Sequence, residues 1–225
     1  MLKYRIEENK LLKIIEDAPK EILSIAKEEG NSGQKSYDEL KSDQWKHRKL
    51  SQSWVKYLSF SLEEYHRGKN NKIYAFPGNP KLAKEHGIKR KEFLFDISVG
   101  LYKSFKSKKF ESSKKVLPIY YQSKPIWQIE SELAENTREI AIDFSKLIAG
   151  NAPYKMMVGP VGKKKSKYYL QDMRPLAKKI TGLFYFLFIP RPNKWLNENE
   201  TKRWYLHNWD NNDWKKVKEG EWIFK

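Results

Sequence analysis

The chain has 225 residues, no cysteine, and 45 basic against 28 acidic side chains, a formal charge of +17. Hydrophobic residues make up 39% and aromatic residues 14%, enough for a packed core, so a disordered chain is excluded despite the charge. Disulfides, thiolate catalysis and thiolate zinc sites are excluded together.

Residues 9 to 29 carry Leu11, Leu12, Ile14, Ile15, Ile22, Leu23 and Ile25 at helical spacing, and Pro19 predicts a break into two short helices. Asn31 to Gly33 reads as a loop. A second helix is expected over 43–67, with Trp45, Trp54, Tyr57, Leu58, Ser61, Leu62 and Tyr65 mostly on one face and Gly68 as its stop. Residues 69–90, with Pro77, Gly78, Pro80 and Gly87, predict mostly loop with a short helix near Leu82. Glu92 to Val99 reads as a buried strand with Asp96 inside it, and Val116 to Tyr121 as another short strand.

From Pro125 to Glu132 the pattern alternates, with Trp127 and Ile129 on one face and Gln128, Glu130 and Glu132 on the other. Asn136 with Glu139 resembles a capping box, opening a helix that Gly150 ends. A strand over 154–159, a helix over 171–181 and a fully buried strand from Leu183 to Pro190 follow. This strand–helix–strand–helix–strand order predicts parallel pairing in an α/β sheet. The tail carries Trp195, Trp204, Trp209, Trp214 and Trp222 within 28 residues, with Asp210-Asn211-Asn212-Asp213 as a turn. It reads as a terminal hairpin packed by its own tryptophans or as a subunit interface, ahead of a base-stacking surface.

The pI of 9.7 names a polyanion as the expected partner, nucleic acid before a membrane surface. Lysines cluster over 103–115, at Lys89, Arg90 and Lys91, and at Lys163, Lys164, Lys165 and Lys167; the last group is expected on a loop beside Gly159 and Gly162 and to contact phosphates. The N-terminus shows no apolar signal segment, and the longest apolar run falls far short of the roughly 20 residues of a membrane helix. The expectation is a soluble cytoplasmic protein.

Three acids stand in strand-like segments: Asp96, Glu130 and Glu132. An unpaired buried carboxylate costs several kcal/mol, and an oxygen-only donor set suits Mg²⁺ or Mn²⁺. Glu130 and Glu132 share a strand face about 7 Å apart. A metal between Asp96 and Glu130 could hold a phosphate oxygen and lower the pKa of a bound water, with Glu132 orienting that water or taking a second ion. The competing reading leaves Glu130 and Glu132 on a solvated face or paired with lysines.

An aspartate, a spacer of about thirty residues, and Glu130-Ser131-Glu132 on a strand before a helix together resemble the PD-(D/E)xK nuclease fold of restriction endonucleases. The resemblance covers about residues 60–190 and departs from the family pattern twice: Phe95 stands where a proline precedes the first acid, and Glu132 stands in place of the lysine. It implies a restriction-endonuclease-like mixed sheet flanked by helices: an N-terminal helical segment (1–42), a nuclease-like core (43–190) and a Trp-rich appendage of the same domain (191–225). It further implies a Mg²⁺-dependent endonuclease on double-stranded DNA, often homodimeric, with an added acid from the preceding helix, Glu64 or Glu63. Lys146 and Lys155 are weighed as migrated cations, and neither is assigned. The four histidines are incidental. The alternative is a non-catalytic DNA- or RNA-binding protein on a degenerate nuclease fold, and a third class is an interaction protein using the tail.

Overall fold

The computed structural model describes residues 6–28, 43–77, 94–105, 119–133, 136–162, 165–195, 197 and 201–224. Seven strands form one mixed sheet in chain order: β1 (Ile73–Phe76), β2 (Ile97–Phe105), β3 (Ile119–Ser131), β4 (Tyr154–Pro160), β5 (Leu183–Ile189), β6 (Arg203–Asp210) and β7 (Asp213–Glu221). β3, β4 and β5 are parallel, and the pairings outside them are antiparallel.

Helices cover both faces. On one side α1 (Glu8–Glu28) and α2 (Asp43–Arg67) close a core of Leu11, Ile15, Trp54, Leu62, Ile129, Met156 and Leu187. On the other, α3 (Thr137–Ala149), α4 (Lys165–Asp172) and α5 (Arg174–Ala177) close a second core of Phe144, Leu147, Met157, Tyr169, Phe184 and Phe186. Strand β4 lies in the middle with every residue buried, as a strand covered on both faces requires. The parallel β3–α3–β4–α4/α5–β5 crossovers match the order read from the sequence.

Five expectations need correcting. Asp96 is exposed in the bend before β2 rather than inside a buried strand, because β2 begins only at Ile97. α1 runs unbroken through Pro19. A proline removes the N–H that would bond the carbonyl four residues back, here that of Ile15, and the buried Nε1–H of Trp222 donates to that oxygen at 2.8 Å instead. β1 stands where loop was expected: its hydrogen bonds come from β2, on the far side of residues 78–93. The strands expected over 116–121 and 125–132 are one strand, β3. The helix expected over 171–181 starts earlier, because Tyr169 and Met173 pack against the second core, and Pro175 then opens α5. Asn31–Gly33, Leu82 and Lys89–Lys91 lie outside the described residues.

The tail extends the main sheet. β6 pairs with β5, and the β6–β7 turn places Asn211 and Asn212 at φ 50° and 65°, the left-handed pair a two-residue hairpin demands. Trp195, Trp204 and Trp222 are buried in the α1/α2-side core. Trp222→Phe is expected to cost about 1–3 kcal/mol in urea unfolding, by stranding the Ile15 carbonyl. Pro19→Ala, which returns an N–H to that oxygen, should recover part of the loss.

Candidate active site

Asp96 and Glu130 meet at the end of the sheet where the parallel strands finish. Ile97 pairs with Ile129, so the bend before β2 brings Asp96 to the end of β3. The Ser131 backbone N–H donates to Asp96 Oδ2 at 2.8 Å, fastening the two strand ends together. Glu130 points to the α3 face and is fully buried. Its Oε2 accepts from Lys146 Nζ at 3.2 Å, and its Oε1 is buried with no hydrogen-bond partner.

The cation comes from α3. Asn136 caps that helix by accepting from the Arg138 N–H, and Ile140, Phe144 and Leu147 press it onto the sheet. This phase brings Asp143 and Lys146 to the rim of the packed face. Lys146 bridges Glu130 and Asp143, the latter at 2.7 Å.

The electrostatics follow from burial. Burial pushes the Glu130 carboxyl up to about 8, with Asp96 and Asp143 adding to the rise and Lys146 opposing it. Burial also raises Asp96; the Ser131 N–H opposes that, Asp143 adds to it and Lys146 opposes it. Burial works against charge on Lys146, yet its bonds to Asp143 and Glu130 hold it above the ordinary lysine value. The cluster holds more negative charge than one lysine offsets, so it retains a proton near neutral pH or accepts a cation.

A groove of about 530 Å³ opens at Asp96 and Ser131, walled by Ser51, Gln52, Val55 and Lys56 of α2 and by Pro77. It gives Asp96 access to solvent from the α2 side. It opens at the carboxyl end of β3, and ligands on an open α/β sheet usually bind at the carboxyl ends of its strands. Lys163 and Lys164 lie outside the described residues; Lys165 opens α4, and Lys167 is exposed on that helix rather than on a loop. Glu132 is half-buried just past β3, its N–H bonded to the Val158 carbonyl at 3.0 Å.

The helix acid is out of place. Glu64 is exposed near the end of α2, eight residues beyond Lys56, or roughly 12 Å along the axis. Glu63, its neighbour, is the buried one. Lys155 serves structure: its Nζ donates at 2.7 Å to the carbonyl of Gly150, which caps α3. His66 is also structural, accepting the Trp127 indole N–H at 3.1 Å, with its pKa lowered by burial to about 4. Sequence reading did not assign Asp143 and Lys146, although their spacing of three on a capped helix marks one stripe.

Among the described residues no group of three His, Cys, Asp or Glu side chains stands ready to hold a metal ion, and no helix is long and apolar enough to cross a membrane. No protein-family model, curated protein or solved structure matches the chain.

Proposed function

We propose that the protein is a metal-dependent endonuclease hydrolysing DNA phosphodiester bonds, on a restriction-endonuclease-like α/β fold and in the manner of a type II enzyme. One observation carries the reading: the fully buried Glu130, with an unpartnered oxygen, sits beside Asp96 and Lys146 at the carboxyl end of parallel strands in a chain of charge +17. Mg²⁺ commonly uses one or two carboxylates and fills its remaining positions with water and substrate phosphate oxygens. Asp96 and Glu130 fit that demand without a third protein acid, and Mn²⁺ suits the same donors.

A bound ion would supply Lewis-acid polarisation of a phosphoryl oxygen. The chain's own residues do the remainder. Ser131 N–H fixes the Asp96 carboxylate. Lys146, held by Asp143, would offset charge on a bound phosphate, the part that the lysine absent at position 132 would play. Glu132, just past the end of β3, would orient water. Lys163, Lys164, Lys165 and Lys167 neutralise the backbone. A homodimer would present two such sites to the two strands of a palindrome.

The test is plasmid and phage DNA with Mg²⁺, Mn²⁺ or EDTA, beside Asp96→Ala. The expected result is metal-dependent cutting that falls on the order of 10³-fold or more in the variant, with duplex binding retained. The second reading, a non-catalytic nucleic-acid-binding protein, draws on the Lys146–Glu130 pair, which already gives Glu130 a countercharge. Retarded DNA that is never cut, in both proteins, would select it.

A further inference from the structure

β2 and β3 outrun the sheet. β1 pairs with β2 only as far as Leu101, and β4 meets β3 only from Trp127 onward. From Lys103 to Phe105 and from Ile119 to Tyr121 the two strands pair with each other alone among the described residues. The result is a two-stranded ribbon on the opposite end of these strands from Asp96. The nine residues of β2 put the two ends about 30 Å apart.

The base of the ribbon is built to bend. Ile126 and Ser123 of β3 have no partner in β2, which makes two bulges. The Ser123 hydroxyl donates to the Leu101 carbonyl at 3.1 Å, fixing one of them. Gly100 lies between, where a Cβ would come within 2.4 Å of Gln122 Nε2 and 2.6 Å of the Lys124 carbonyl oxygen. Bulges bend a strand and sharpen its right-handed twist, and both of these lie at the base of the ribbon.

Its chemistry is one-sided. From Ile97 to Ile129 the sequence has seven lysines and a single acid, Glu111. On the described ribbon Lys103 is exposed and directly opposite Tyr121, which is 43% exposed; Ser104, Ser123 and Lys124 are exposed as well. A twisted, basic ribbon with hydroxyl and phenol donors fits the major groove of B-form DNA, whose width admits two strands. The major groove of an A-form RNA duplex is too deep and narrow for it.

We infer that the β2–β3 ribbon is a second DNA-contacting arm, entering the major groove about one helical turn from the scissile phosphate. This rests on the nuclease reading for the substrate, but on none of the acids. Anisotropy of a labelled 30-bp DNA duplex in EDTA tests it, with wild type beside Lys103→Glu/Lys124→Glu. The double variant should bind at least tenfold more weakly, with a salt slope shallower by about two. In the wild type, duplex DNA should protect Lys103 and Lys124 from acetylation. That protection decides the matter even if the variant fails to fold.

Unchanged affinity with unprotected lysines overturns the arm while leaving the nuclease reading intact. So does an equal loss on an RNA duplex, which would mean charge alone, or a shift in sedimentation without a loss of DNA binding, which would mean a protein contact. A wild type that binds no duplex at all defeats the nuclease reading itself.

Discussion

The Glu130→Gln protein is expected to be more stable than the wild type above pH 8 and to cut no DNA. Glu130 ionises in the folded chain at about 8, well above the ordinary 4.5, because burial penalises its charge. For a carboxyl raised on folding, the native state holds the proton more tightly than the unfolded one. Its stabilising contribution is complete below about pH 4.5 and drains away as pH climbs through 8. At about 1.4 kcal/mol for each tenfold difference in proton affinity, the wild type loses on the order of 3–5 kcal/mol across that window.

A glutamine at this position carries no charge and can still accept from Lys146, so the variant's stability profile should lack this slope. Urea unfolding at pH 5, 7 and 9 checks it. The two proteins should agree near pH 5 and diverge by 9; parallel curves would show that Glu130 is ionised throughout. Mg²⁺ should act on the wild type alone, raising its melting temperature more at pH 8 than at pH 6, because the ion displaces the proton.

The second large effect belongs to Lys146→Met. This change leaves Glu130 buried and Asp143 nearby without the ammonium that joins them. Stranding a buried carboxylate typically costs about 3–5 kcal/mol. The loss should appear above about pH 8, because below it Glu130 already holds its proton and removing Lys146 only tightens that hold. Lys146→Met/Glu130→Gln should recover most of the stability, because the stranded charge is gone, but no cleavage. Lys146→Arg should restore folding and part of the cutting. Measured by denaturant midpoints and plasmid nicking, this set separates a lysine that only neutralises Glu130 from one that also faces the phosphate. Single and double variants of equal stability would mean that the pair contributes nothing.

How much of this was legible in the sequence varies residue by residue. The parallel β3–β5 unit was, because a buried strand shows as an apolar run and a capped helix shows its cap. The burial of Glu130 was, because an acid inside an alternating strand stands out; the exposure of Asp96 was not, because the sequence does not show that β2 starts one residue after it. Lys146 was not: a lysine three residues after an aspartate on a helix rim looks the same whether it meets solvent or a carboxylate, and the rotation of α3 on the sheet decides. Which of Glu63 and Glu64 is buried turns on the same variable, since adjacent helical positions differ by about 100°. The continuity of α1 was hidden for another reason: the donor that makes Pro19 tolerable lies 207 residues from the carbonyl it serves.

That last bond has a consequence for the order of events during synthesis. Each strand pairs with its sequence neighbour, so the sheet can grow strand by strand as the chain leaves the ribosome. The first helix is the exception. It emerges early with an open carbonyl at Ile15 and waits for Trp222 to close it. The first helix is therefore made before the strands that lie between it and Trp222 but is secured after them, so a nascent chain carries Asp96, Glu130 and Lys146 well before that helix is locked.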